Sequence, residues 1–406
     1  MHPVLGNRPF ALIALLATFA LLAAAFILLK SPHPPEVQTL AGVQWTLEEY
    51  RDFFLTLAEQ KGVEYAYDVL GKSHIAAGID THMLAHDIGY VLYRKKGVAG
   101  IAECTSEFKN GCVHAIVTQE LVHSGSGALG TLSEICGTYP PNTERSVHCF
   151  HGIGHGLVAA YSYDFKSAAL SCAGIPGVVT DSLGSPYALL MWGECIGGAM
   201  MELSLGIHDA ESRDRAVSIF FQKDDVLAPC NAPYLDERVR SSCYLYLRER
   251  FFDEPEHAAE PLRSEDYRAI MQYCARIPAD QEDNINACYG GFGIEYVYIA
   301  NGTDSRSLSG MSDRALARVH EWCGLGPDYN AVRACTFTAA GLLTGGEHDD
   351  PQAAIRFCAR APDSELSDRC FSAIISAGAQ SFSTSTFRTF CLSMPRTYIP
   401  LCLERQ

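Results

Sequence analysis

Histidines cluster in one part of this chain, and their spacing is that of ligands. The segment DTHMLAHDIG sets His82 and His86 four residues apart, and CFHGIGHGL does the same for His151 and His155. On a helix, residues four apart lie on one face, about 5–6 Å from each other at Cβ. A fifth histidine, His114, stands between the two pairs. Imidazoles gathered in this way suit a transition metal such as iron, copper or zinc, held by nitrogen and oxygen ligands. They act together only if the elements carrying them are aligned, so the alignment has to be found elsewhere in the chain.

The cysteines supply it. Sixteen are spread from Cys104 to Cys402. Six segments, among them CGTYPPNTERSVHC, CNAPYLDERVRSSC and CARAPDSELSDRC, run from a cysteine through a nearby proline to a second cysteine. A looser copy runs from Cys172 to Cys195. Stretches such as ALARVHEWC before the first cysteine and CYLYLRERFF after the second repeat apolar residues at helical intervals. Proline just past a helix end is a stop signal. The repeated unit is therefore helix, proline turn, helix. Taking the second cysteine as its start, units begin at Cys112, Cys149, Cys195, Cys243, Cys288, Cys335 and Cys370, which lie 37, 46, 48, 45, 47 and 35 residues apart.

These intervals fall in the range of helical-hairpin repeats. The pattern resembles tetratricopeptide-type αα-repeats in a cysteine-stapled form, at the level of the superfamily. The resemblance implies an all-α array of helical hairpins, a solenoid or toroid, over residues 45–406. It implies no activity, because the tetratricopeptide consensus is absent and the period is longer. Pairing each cysteine with the next uses all sixteen locally, whereas joining the helices within each unit strands Cys104 and Cys402. The local scheme is preferred, and it leaves no thiolate for a metal or a substrate.

Register then sorts the chemistry. The third position after the cysteine is small in most units, as at Ala115, Gly152, Gly198 and Gly291, with Tyr246 the exception. If Asp80 takes the place of the cysteine upstream, His82 and His86 join His114, His151 and His155 at the second and sixth positions of three successive helices. Equivalent positions in stacked repeats line one surface, so the five histidines should converge as a metal site within 80–160. Glu202 and Glu295, at the seventh position of later units, are candidates for a further ligand or a catalytic general base. Gly154 and Gly156 are not explained by the small column and indicate close approach of a ligand or a helix.

The ends of the chain bear on location. Phe10–Leu29 is an uncharged apolar run of the length a bilayer-spanning helix needs. It is read as a signal anchor, with residues 1–9 cytoplasmic and 30–44 a proline-rich, extended tether. Dispersed cysteines after an export segment place the rest in an oxidising compartment, periplasmic or extracellular. The net charge of −16 argues against a nucleic-acid partner. H-E-x-x-H, G-x-S-x-G and phosphate-loop motifs are missing. Glu120 and His123 make one glutamate-x-x-histidine element, but a di-iron bundle needs two. The sequence thus points to a membrane-anchored, metal-dependent enzyme, oxygen-using or hydrolytic. The alternatives are a scaffold that binds a protein or peptide on its concave face, and a protein that stores or delivers metal.

Overall fold

The computed structural model describes residues 35–405, apart from positions 41, 74, 76–78, 106, 142, 178–185, 207–209, 222–224, 253–261, 303–307, 309 and 346–351. The apolar run at 10–29 lies outside the described residues. Every regular element among them is a helix. Eight helices form a consecutive stack, and we label them α1 (Thr81–Lys96), α2 (Glu107–Ser124), α3 (Glu144–Ala160), α4 (Pro186–Leu205), α5 (Arg240–Tyr246), α6 (Glu282–Asn301), α7 (Tyr329–Gly345) and α8 (Ser364–Ser381). Each packs against the next.

From α2 onward, each stacked helix carries the second cysteine of its unit, joined by a disulfide to the short segment before it. All sixteen cysteines are paired this way, from Cys104–Cys112 to Cys391–Cys402, and none is free. The bridges span 8 to 23 residues. Loops of that size contribute about 2–3 kcal/mol each in the chain-entropy account. Such pairing belongs to a protein that folds in an oxidising environment.

The stack is tight because glycines let backbones touch. A Cβ on Gly154 would lie 2.0 Å from the Cys195 carbonyl oxygen, and one on Gly293 would lie 2.1 Å from that of Cys335. Gly154 and Gly156 are therefore explained by helices rather than by a ligand: the first meets α4, and the second lies against Thr118 of α2. Apolar α4 is long enough to cross a membrane, yet 72% of its most apolar stretch is buried in the fold, so its apolarity serves the core.

The proline-rich stretch differs from its expected extended form at one end. Pro35–Leu40 is helical, with Leu40 buried and Glu36 paired to Lys61 and accepting a hydrogen bond from the Tyr65 hydroxyl at 2.6 Å. Proline at the first helical position and an acid in the first turn both favour a helix start, and the contacts with the next helices hold it.

Candidate metal centre

Local sequence explains how the first histidine pair is presented. Asp80 caps α1, its Oδ1 accepting the His82 backbone N–H at 2.8 Å. His82 and His86 then share the face turned toward α2, and both are buried. Their Nε2 atoms lie 3.1 Å apart. Two imidazole nitrogens bound to one zinc at about 2.0–2.1 Å in tetrahedral geometry would be separated by roughly 3.3 Å. The spacing therefore fits a shared cation as well as a single hydrogen bond.

The tautomers decide which nitrogens are available. A carbonyl only accepts, so the 2.7 Å contact between His82 Nδ1 and the Phe108 oxygen places the proton on Nδ1 and the lone pair on Nε2. His114 is the mirror case. Its Nε2–H donates to the His148 carbonyl at 3.1 Å, and its buried Nδ1 makes no hydrogen bond. A buried acceptor without a partner costs about 1–3 kcal/mol, and a metal ion would remove that cost. Ligand atoms from His82, His86 and His114 all lie within 4.8 Å of one another. Backbone carbonyls orient two of these rings, as second-shell partners orient the ligands of metal sites.

The remaining two histidines extend the cluster. The ring centroid of His114 lies 5.6 Å from that of His151 and 5.4 Å from that of His155, and the latter two rings are 5.0 Å apart. His155 Nδ1 donates to Glu202 Oε2 at 3.0 Å, and the Tyr163 hydroxyl donates to the other oxygen of the same carboxylate. Glu202 is fully buried. It stands behind an imidazole, in the place of an orienting carboxylate. Glu295, the other acid of its column, lies 3.6 Å from the Arg248 guanidinium on the far side of a cavity.

Burial keeps three of the imidazoles neutral. Burial lowers the pKa of His82 and takes His114 and His151 well below the usual imidazole range, with neighbouring histidines adding to the effect for His114 and His151. Neutral imidazole is the form that ligates metal. Burial also pushes the Glu194 carboxyl, 3.6 Å from His151 Nδ1, up to about 7.

The Phe108 carbonyl that holds His82 comes from an unusual turn. Phe108, Lys109 and Asn110 have φ of 51°, 52° and 59°. Left-handed conformations cost about 1–2 kcal/mol per non-glycine residue, and strain of this kind gathers at functional sites. A cavity of 270 Å³ adjoins the cluster and is lined by His82, His114 and His151 together with Ile294, Tyr298 and Leu342. Helices α1–α3 and α6–α7 thus all contribute to its lining.

Comparison with known protein families, characterised proteins and solved structures finds no match for this chain. The site stands on its geometry alone.

Several contributors escaped the sequence reading. His148 precedes His151 by three residues, so it shares the face and was detectable. Tyr246 broke the small column, and its ring packs on His151 at 4.9 Å. Lys109, Arg248 and Tyr298 carried no signal, because chain-distant elements bring them to the cavity.

Proposed function

We propose that this protein is a membrane-anchored, extracytoplasmic metalloenzyme whose metal is held by His82, His86 and His114 on a tetratricopeptide-like array of disulfide-stapled hairpins. The observation that carries the reading is the buried trio itself, with His82 and His114 each fixed by a carbonyl so that the other nitrogen is left for a cation. His151 and His155 adjoin the trio, with Glu202 holding His155 in place. With every cysteine in a disulfide, the donors are nitrogen and oxygen, which suits zinc, iron or copper.

Three protein ligands leave room in the coordination sphere for a water or a substrate, and the adjoining cavity gives a substrate somewhere to sit. When bound, the metal would supply a Lewis acid or a redox centre, for a hydrolytic or an oxygen-using reaction. The chain's own contribution is to orient the rings, keep them neutral and exclude bulk water.

Elemental analysis of the full chain, purified without added metal and then reconstituted, tests this. About one equivalent of a transition metal is expected, and its absorption spectrum separates iron and copper from zinc. His82→Ala and His114→Ala should lose the metal with their helical content unchanged. Less than about a tenth of an equivalent, with none taken up on reconstitution, would overturn the proposal.

A further inference from the structure

A lysine ammonium, that of Lys109, opens onto the cavity beside the imidazoles. Lys109 Nζ lies 4.4 Å from the centroid of the Tyr298 ring and bonds to the Tyr298 hydroxyl. Among the described residues no carboxylate is in direct contact with it, while Glu144 and Asp80 lie near enough to favour its charged form. The other cation at this cavity, Arg248, is buried and has Glu295 at 3.6 Å. The Asp80 carboxylate also caps α1 through Oδ1. Burial keeps His82, His114 and His151 neutral, so Lys109 is the cation at this cavity that has no carboxylate in direct contact.

Its position is also imposed by the backbone. Three consecutive left-handed residues, none of them glycine, swing Lys109 to this place at the start of α2. A plain helix start would need no such turn. Ile294 and Leu342 give the same cavity an apolar part of its wall. A second cavity of 250 Å³ shares Lys109, His148 and Leu342 and reaches exposed Gln380, which supplies an entrance.

We propose that this cavity binds a small organic acid, with the Lys109 ammonium on its carboxylate and Ile294 and Leu342 against its apolar body. The 270 Å³ cavity has the volume of roughly nine waters, which is room enough to admit an acid such as benzoate. Burial beside Arg248 draws the Lys109 pKa down to about 7. A bound carboxylate removes that penalty by restoring a counter-charge. The anion subsite rests on the metal-centre reading only for what the other end of the acid meets, since Lys109 itself is not a ligand.

Calorimetric titration of the full chain with benzoate, benzamide and sulfate tests the subsite, on metal-stripped and metal-loaded protein alike. Benzoate should bind the stripped protein. Benzamide, with the same body and no charge, and sulfate, with charge and no body, should each bind on the order of tenfold more weakly or not at all. Lys109→Met should weaken benzoate by a similar factor, and Lys109→Arg should retain it. Equal binding of benzamide would overturn the role of the ammonium, and equal binding of sulfate would overturn the role of the apolar wall. Benzoate binding unchanged in Lys109→Met would sink the subsite while leaving the metal content of the same samples intact. Protein without metal that still binds benzoate through Lys109 would fail the metal centre and keep the subsite.

Discussion

Gly154 of α3 and Gly293 of α6 stand five residues past the cysteine of their units, and each lets its helix touch the backbone of the next at the cysteine carbonyl. The side chains around them could hardly differ more. At the second and sixth positions, the N-terminal helices carry His82, His86, His114, His151 and His155, whereas α6 and α7 carry Gly290, Ile294, Phe337 and Gly341. The C-terminal half fills its interior with aromatic carbon: Phe292 lies 5.9 Å from Tyr296, and Tyr267 stacks on Trp322 at 4.8 Å. The N-terminal half instead lines its second and sixth positions with imidazoles, whose nitrogens each need a partner. The close backbone contact sets the scaffold, and residues two and six set the chemistry, so one can vary without the other.

That comparison can be broken most directly at the shared glycines. Alanine at position 154 or at position 293 puts a methyl against a backbone carbonyl that has no room to move. Each substitution should cost about 3 kcal/mol or more, seen as a large drop in melting temperature or a failure to fold. If Gly293→Ala were harmless while Gly154→Ala was not, the two halves would not share a packing mode.

Next in size is the difference in metal binding. His114→Ala should abolish metal uptake, whereas His320→Ala, in the C-terminal half, should leave it unchanged. His320 stacks on Phe357 at 3.9 Å and hydrogen-bonds to its carbonyl, which is a structural role. Metal content measured on both variants checks this, and equal loss would place the ion elsewhere. A smaller effect separates the two glutamates of one column. Glu202→Gln loosens His155, which adjoins the ligands without being one, and should lower metal affinity by less than about tenfold, while Glu295→Gln should not change it. Competition against a chelator of known affinity reads both.

The smallest effect is in acid stability. His151 has its pKa lowered in the folded chain, so below about 6.5 the unfolded state takes up a proton that the folded state refuses. Its contribution to stability is present above that pH and is lost as pH falls through it. Glu194 acts with the opposite sign between about 7 and its ordinary value, because its carboxyl is protonated more readily when folded. Metal-free His151→Gln should therefore lose less melting temperature than the parent on going from about pH 7 to about pH 5. An identical loss in both proteins would show that His151 is not held neutral by burial.

Much of this molecule was legible before its structure. The eight disulfides follow from parity and short spacing, since cysteines ten or so residues apart around a turn are already neighbours. The alignment of the histidines follows from the same repeat, because an interval fixed by local helix geometry needs no tertiary information. The small column was visible too, and its exception, Tyr246, proved to be a contact of His151.

Other features depended on the way the units add up. Segments distant in the chain meet only in the assembled stack of helices, so no single unit shows that Tyr298 of α6 will meet Lys109 of α2. The same holds for the choice among five aligned histidines. Register put all of them on one face, but only tertiary packing gathered the ligand atoms of His82, His86 and His114 within 4.8 Å and turned Glu202 toward His155. The sequence by itself determined the helices, the staples and the face on which the chemistry lies, because these rest on contacts a few residues long. Which nitrogens converge, and which cation opens onto the cavity beside them, was decided by the tertiary structure, because those depend on distances between residues far apart in the chain.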